Sequence, residues 1–293
     1  MTLSAADWTS RIGDGPILVF GGPYSNLRAT EALRREADRL GIPATNVICT
    51  GDVVAYAAEP EETVAAIRDW GCHVIAGNCE EQLGAGAADC GCGFEEGTAC
   101  DLLAKGWYPF ANARVSEASR TWMRGLPKFA RFVLGGRTCL VLHGGTETIN
   151  RFIFGSQGDV IRNEFARAQC DVVIAGHAGI PFAHRVGGKL WFNPGVIGMP
   201  ANDGTTDAWY GLITPTAATI DFALKRLAYD HAGAAASMRR WAHVDGYART
   251  LVTGLWPSLD VLPEAEAAQT GKKLRPRGVS LPRANGAVGE AAA

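Results

Sequence analysis

The chain lacks the long apolar run that a membrane-spanning helix requires. Such a helix needs roughly 18 or more consecutive apolar residues, and no stretch of this 293-residue sequence reaches that length. The first residues also lack a basic start followed by an apolar core, so no secretory signal peptide is indicated. The chain also has no excess of positive charge, since its formal net charge is -2. We therefore expect a cytoplasmic protein that binds neither a membrane nor, by general electrostatic attraction, nucleic acid.

Cysteine is not scarce, but a disulfide framework is not expected. The sequence has eight cysteines, and thiols of a cytosolic protein stay reduced or bind metals. Cys49, Cys139 and Cys170 lie in apolar runs, where cysteine acts as a small buried hydrophobic residue. Hydrophobic residues make up 47% of the chain and charged residues 20%, which is typical of a globular protein with a full core.

Short β-branched runs alternate with helical patterns, which predicts a layered α/β fold. We predict strands over residues 17–20, 46–49, 73–76, 138–142, 171–175 and 190–193, followed by a hairpin over 210–213 and 219–224. We predict helices over 27–40, 61–70 and 159–168.

The alternation of predicted strands and helices stops near residue 225, which divides the chain into a main domain and a C-terminal part. Residues 1–225 form the main domain, and residues 79–116 are a long insertion rich in Gly, Ala, Cys and acidic residues, which suggests a functional segment or a lid. Residues 226–263 read as a helical extension, whose Trp256 would cover the crevice or contribute to a dimer surface. A homo-oligomer is therefore a second expectation. From 264 to 293 small and charged residues dominate, and we expect disorder.

Four polar residues follow four of the predicted strands. They are Asp52, Asn78, His143 and His177, each next to a glycine. Ligands of open α/β sheets bind at the carboxyl ends of strands, so these side chains are expected to face one crevice. A carboxylate, an amide oxygen and two imidazoles suit a divalent transition metal such as Mn, Fe, Zn or Ni better than Mg or Ca.

The order GD, GNCE, HG, GH and NPG resembles the calcineurin-like metallophosphoesterase superfamily, and most closely its small bacterial and archaeal phosphodiesterase branch. The resemblance covers about residues 16–225. It implies two sheets packed face to face with helices outside, and a two-metal centre that hydrolyses phosphoesters. The ligand set it implies for one metal is complete: Asp52, Asn78, His143 and His177.

The ligands that would bind only the other metal are missing. The resemblance places them at Gly22, Tyr24 and Gly179, and the loop of residues 21–26 holds no carboxylate or histidine. Cys79 stands where many members carry a catalytic histidine, although cysteine is common there in the small phosphodiesterase branch. Asn78, Cys79 and Tyr24 are accordingly the candidate catalytic residues. Tyr24 either supplies a phenolate ligand or fills the vacated space, and both alternatives stay open.

The insertion offers further ligands in Cys90, Cys92 and Cys100. Thiolates suit zinc, Cu(I) or an iron–sulfur cluster, but the spacing from Cys79 to Cys100 matches none of the common patterns. A structural zinc, a rebuilt first metal site and plain loop thiols remain alternatives. Candidates for contacts with an anionic substrate are Asn26, Arg28 and His184.

These observations favour a metal-dependent phosphoesterase that hydrolyses a phosphomonoester or phosphodiester of a small phosphorylated substrate with metal-activated water. Its centre would be atypical, and a single-metal centre and a rebuilt two-metal centre both stay open. One alternative is a catalytically silent binding or regulatory protein that retains the fold. Another is a different metal or redox chemistry that uses Tyr24 and the insertion cysteines.

Overall fold

A computed structural model describes residues 3–93, 95–241, 245–275 and 278–284. Within them the strands are β1 (Ala6–Asp7), β2 (Ile17–Phe20), β3 (Val47–Cys49), β4 (His73–Val74), β5 (Ala130–Leu134), β6 (Arg137–Val141), β7 (Val172–Ile174), β8 (Phe182–Val186), β9 (Lys189–Asn193), β10 (Ala208–Pro215), β11 (Thr219–Leu227) and β12 (Val279–Pro282). The helices are α1 (Leu27–Arg39), α2 (Pro60–Trp70), α3 (Asn78–Ala85), α4 (Ala99–Asn112), α5 (Glu117–Arg124), α6 (Gly158–Ala168), α7 (His231–Met238), α8 (Asp245–Thr253) and α9 (Glu264–Ala267), with a 3₁₀ turn at Ala44–Asn46.

The strands form two six-stranded sheets, in the orders β1-β5-β6-β7-β9-β8 and β12-β11-β10-β2-β3-β4. Their facing sides share one buried core, in which Val141 and Phe192 of the first sheet meet Val19 and Ile213 of the second. Helices cover the outer faces. The predicted α/β fold of two packed sheets flanked by helices is therefore confirmed.

The predicted strands and helices lie where the sequence places them, and local signals explain their ends. Helix α2 begins with Pro60 at its first position, where the missing N–H of proline costs nothing. It ends at Gly71, which is left-handed with φ 72°, a conformation that glycine adopts without strain. Strands β2, β3 and β4 run parallel, as do β6, β7 and β9. The carboxyl ends of both groups lead into the loops of the site described below.

The region beyond residue 79 is more structured than its composition indicates. Helices α3 and α4 occupy much of the insertion, and Thr98 caps α4 by accepting the N–H of Asp101. The extension does contain helices α7 and α8, but β11 continues to Leu227 before they begin. No helix of the described segments is long and apolar enough to cross a membrane.

The expectation of disorder from residue 264 onward needs correction over the described part of that segment. Helix α9 lies there, and β12 pairs with β11 in antiparallel register, with Ile220 opposite Leu281. Leu281 is buried in the core between the sheets, and this burial offsets the entropy lost on ordering the segment. Residues 285–293 lie outside the described residues.

Candidate metal centre

The four strand-end loops bring Asp52, Asn78, His143 and His177 into direct contact. The Nε2 atom of His143 lies 3.2 Å from Asp52 Oδ2, 3.2 Å from Asn78 Oδ1 and 3.0 Å from His177 Nδ1. His177 Nδ1 is 3.9 Å from the same Asp52 oxygen. All four side chains are buried. Side chains that the sequence separates by more than a hundred residues thus point their donor atoms at one small volume.

The donor set fits a transition metal ion. A zinc ion binds imidazole nitrogen at about 2.0–2.1 Å, so tetrahedral ligand atoms lie about 3.3 Å apart. The distances of 3.0 to 3.9 Å measured here bracket that value. His143 Nδ1 lies 2.6 Å from the carbonyl oxygen of Thr50. Since a carbonyl only accepts hydrogen bonds, Nδ1 carries a proton, and Nε2 is the atom that offers its lone pair to an ion.

The surroundings shift the pKa values of the two histidines in opposite directions. Burial lowers the pKa of His143, but the Asp52 carboxylate outweighs it and the net pKa is raised above its usual value. Burial also lowers the pKa of His177, and there it dominates. Burial opposes the charge of Asp52, yet the two imidazoles lower the pKa of that carboxyl well below its usual range. Asp52 and His143 therefore favour each other's charged form, and an ion at His143 Nε2 would compete with a proton for that atom.

Glu80 holds two of the ligand loops together, a role that the sequence reasoning missed. This buried carboxylate accepts the backbone N–H groups of Asp52 at 2.7 Å, Val53 at 2.8 Å and Gly77 at 2.9 Å. Burial, and then the charge of Asp52, raise the pKa of Glu80 to about 7. A glutamate at the third position of α3 is the expected partner of a helix-capping N–H, so the signal was present in the sequence.

The backbone at the site is strained in a way that functional sites often are. Asp52 has φ 56° and His177 has φ 58°, a left-handed conformation that costs non-glycine residues on the order of 1–3 kcal/mol. At Gly77 a side chain would overlap the Asp52 carboxylate. The close approach of the two loops therefore requires glycine at residue 77.

Two aromatic rings fill the region where the resemblance places the missing ligands. A Cβ at Gly22 would lie 2.5 Å from the buried Tyr24 ring, and a Cβ at Gly179 would lie 3.0 Å from the Trp256 ring. Burial, followed by the charge of Asp52, raises the pKa of Tyr24 well above its usual value, so the phenol stays protonated without an ion. The ring occupies the space of the missing ligands, and both alternatives for Tyr24 stay predictions.

Trp256 also covers the crevice, as one of the two alternatives for the helical extension expects. Its indole Nε1 donates to the Pro200 carbonyl at 2.7 Å, and its backbone N–H donates to Asn202 Oδ1 at 2.8 Å. A cavity of about 60 Å³ remains between Tyr24, His177 and Trp256. Its walls are mostly apolar, and no lysine or arginine of the described ranges lines it.

Three of the four insertion cysteines, Cys79, Cys90 and Cys92, lie in contact beside Asn78, and the fourth does not. Cys79 is buried beside the centre, and its N–H faces Asp52 Oδ1 at 3.3 Å. Cys90 and Cys92 lie next to Asn78, whereas Cys100 lines the 60 Å³ cavity. Across the described ranges, the one group of three or more His, Cys, Asp or Glu donors within 4.8 Å of one another is Asp52, His143 and His177. That placement does not favour an iron–sulfur cluster.

The structure gives other roles to the three residues predicted to contact substrate. Asn26 is buried, caps α1 by accepting the N–H of Ala29 at 3.1 Å, and donates to the Gly198 carbonyl at 3.1 Å. The other two lie away from the cavity. Arg28 pairs with Asp230 at 3.4 Å, and His184 Nδ1 lies 2.9 Å from the Gly155 carbonyl oxygen. A helix cap, a surface ion pair and a strand contact account for them.

Comparison with known proteins agrees with this architecture. The calcineurin-like phosphoesterase superfamily domain matches residues 24–214, and the chain belongs to that superfamily. It is 26% identical over 212 residues to the uncharacterized protein MJ0912 of Methanocaldococcus jannaschii, a match that spans 66% of this chain and 80% of that protein.

Two crystal structures share the fold. A metallophosphoesterase from Sphaerobacter thermophilus aligns with a TM-score of 0.63 and 20% identity, over 83% of this chain and all of that one, 100%. The hypothetical protein PH1004 of Pyrococcus horikoshii OT3 aligns with a TM-score of 0.69 and 17% identity, over 82% of this chain and 99% of that one.

Proposed function

We propose that this protein is a metal-dependent phosphoesterase that hydrolyses a phosphomonoester or phosphodiester at a single-metal centre. The observation that carries the proposal is the convergence of four donor atoms, from Asp52, Asn78, His143 and His177, at 3.0 to 3.9 Å. Tyr24 and Trp256 fill the region of the second metal, which favours one ion over two.

When bound, a divalent transition metal would lower the pKa of water and polarise a phosphoryl oxygen. The residues of this chain prepare that chemistry. Asp52, Asn78 and the two imidazoles would hold the ion, and the Thr50 carbonyl fixes the His143 ring with Nε2 directed inward. Glu80 fixes the backbone on which Asp52 is carried. Tyr24 and Trp256 exclude bulk water from one side of the site, which strengthens electrostatic interactions within it.

The size and lining of the cavity bear on the substrate. A volume of about 60 Å³ holds a few waters at most, so a phosphoester reaches His177 only if the segment 256–261 moves. Tyr24, Tyr56 and Tyr247 line the same cavity. Since these walls are mostly aromatic and no lysine or arginine of the described residues lines them, we propose a phosphoester with an apolar or aromatic group rather than a highly charged one.

A second candidate is a binding or regulatory protein without turnover. The observation in its favour is the filled region of the second metal, together with a small cavity that no lysine or arginine lines within the part of the chain that the structure describes. Such a protein would bind an ion or a phosphorylated ligand without cleaving it.

One experiment separates the two candidates. Purified protein would be assayed with Mn²⁺ on an aryl phosphate and on an aryl phosphodiester, beside His143→Ala and the matched control His184→Ala. The phosphoesterase proposal expects hydrolysis by the wild type and by His184→Ala, and none by His143→Ala. Mn²⁺ binding by calorimetry without hydrolysis would favour the second candidate. No binding at all would overturn the metal centre itself.

A further inference from the structure

The side-chain amide of Asn78 connects the candidate metal centre to the insertion. Its Oδ1 lies 3.2 Å from His143 Nε2. Its Nδ2 donates in the opposite direction, to the Cys90 carbonyl at 2.9 Å, to the Cys92 sulfur at 3.3 Å and, more weakly, to the Cys79 sulfur at 3.7 Å. If the side-chain amide were rotated by 180°, it would lose these hydrogen bonds and its N–H groups would point at the ligands. The contacts with the insertion therefore keep the Asn78 oxygen directed at the metal position.

The two cysteines of this contact lie against each other. Cys90 Sγ and Cys92 Sγ are 2.7 Å apart, and Gly91 between them turns the chain with φ 63°. The turn is held from outside, since Asn150 Nδ2 donates to the Gly91 carbonyl at 2.8 Å. A disulfide bond of about 2.0 Å therefore requires little further approach of the sulfurs.

Metal binding explains this pair less well than a sulfur–sulfur bond does. Tetrahedral thiolates on zinc, at about 2.3 Å from the ion, lie about 3.8 Å from each other. The 2.7 Å separation is far shorter, and no third His, Cys, Asp or Glu donor among the described residues converges on the two sulfurs. Of these two cysteines, Cys92 is the one whose sulfur hydrogen-bonds to the Cys79 thiol.

A cleft gives small molecules access to the pair. A cavity of about 440 Å³ opens beside α4, and Cys90 and Cys92 are on its wall. It is a different cavity from the one at His177 and Trp256, with none of the same lining residues. Acidic side chains, Asp89 and Glu96 among them, line it too. A neutral reagent is therefore favoured there over an anionic one.

We propose that Cys90 and Cys92 form a reversible disulfide, and that its formation weakens metal binding through Asn78. The oxidant is a low-molecular-weight disulfide. One protein thiol loses its proton and attacks a reagent sulfur, which forms a mixed disulfide and releases one reagent thiol. The second protein thiol attacks the protein-bound sulfur, forms the Cys90–Cys92 bond and releases the other reagent thiol. Two protein thiols are oxidised and one reagent disulfide is reduced, and both protons leave on the two released thiols.

The disulfide acts on Asn78 because the two closest acceptors of its amide, at 2.9 Å and 3.3 Å, belong to the oxidised segment. Joining the sulfurs moves the Cys90 carbonyl and leaves Cys92 as a weaker acceptor, so the Asn78 oxygen is no longer held toward His143. This coupling rests on the proposed metal centre, whereas the disulfide itself does not. Reducing agents would restore both the thiols and the orientation of the amide.

The test uses the full chain, oxidised with bis(2-hydroxyethyl) disulfide and compared with protein kept in reductant. The contact with Cys92 and burial raise the pKa of Cys90, so the incubation runs for hours at about pH 8.5, near the ordinary thiol pKa. Thiols are counted after denaturation, and peptide mass spectrometry of the wild type locates the bond. Mn²⁺ affinity is then measured by calorimetry in both states. The double variant Cys90→Ser, Cys92→Ser is compared with the control Cys72→Ser.

We expect the wild type and Cys72→Ser each to lose two thiols, joined between residues 90 and 92, and to bind Mn²⁺ about tenfold more weakly, or about 1.4 kcal/mol. The double variant should show neither change. An unchanged thiol count, a bond at other cysteines, or a disulfide without an effect on affinity would each overturn the proposal. If neither state binds metal, the proposed metal centre and the coupling fail together, while the thiol count still decides the disulfide.

Discussion

The carboxylate of Glu80 accepts the backbone N–H of Asp52 at 2.7 Å, and through the same oxygen it accepts the N–H of Gly77 at 2.9 Å. A single buried side chain thereby ties the loop after β3 to the loop after β4. Both loops carry a candidate ligand, Asp52 in one and Asn78 in the other. The spacing of the two ligands depends on Glu80, although Glu80 points no atom at the metal position.

Replacing Glu80 with alanine should therefore destabilise both the fold and the metal centre. The change leaves three buried N–H groups without acceptors, and each unsatisfied group costs about 1–3 kcal/mol. We expect the free energy of unfolding in urea to fall by about 3 kcal/mol or more, and Mn²⁺ affinity to fall with it. The control is Glu81→Ala, which removes only an ion pair with Lys128. Equal stability of the two variants would contradict the role given to Glu80.

Metal binding should release a proton near neutral pH. The Asp52 carboxylate holds the pKa of His143 above its ordinary value of 6.5, and an ion binds only the neutral ring. Affinity is therefore expected to fall as the pH drops through the raised pKa, and to level off above it. Calorimetry in two buffers of different ionisation enthalpy, repeated over a series of pH values, should show a proton release that is larger below the raised pKa than above it. Identical heats in the two buffers would mean that His143 is already neutral.

Local pattern predicted eight of the strands, three of the helices and the convergence of four polar side chains at strand ends, whereas the arrangement in two packed sheets followed from the resemblance to the superfamily. Those side chains follow short apolar strands directly, and parallel strands deliver their carboxyl ends to one edge. The contacts of Trp256 and Glu80 were harder to predict. Trp256 reaches Gly179 across 77 residues of sequence, since only the folded chain brings them together. Strand β12 was missed because a short strand with a single fully buried side chain, Leu281, carries little periodic signal.

Replacing Asn26 should show whether this residue caps a helix or contacts the substrate. Loss of a capping side chain costs about 0.5–2 kcal/mol, and Asn26 also donates to the Gly198 carbonyl. We expect Asn26→Ala to lower the free energy of unfolding by about 2 kcal/mol and to leave KM for an aryl phosphoester unchanged. Arg28→Ala, which breaks only a surface ion pair, should change neither quantity. A raised KM in Asn26→Ala with full stability would restore the substrate-binding interpretation.

Trp256 should control which substrates reach the metal centre. Its ring packs on Gly179 and closes a cavity of about 60 Å³, so Trp256→Ala enlarges the space beside His177. We expect a lower KM for a bulky aryl phosphodiester and little change for a small phosphomonoester, with an unfolding free energy reduced by about 3 kcal/mol or less. The matched control is Trp241→Ala, whose ring is 40% exposed and packs near Phe110 and Arg114, away from the cavity. If both tryptophan variants shift KM alike, or neither does, the segment 256–261 does not limit access. A shift confined to Trp256→Ala, and largest for the bulkiest ester, is the outcome that a movable cover predicts.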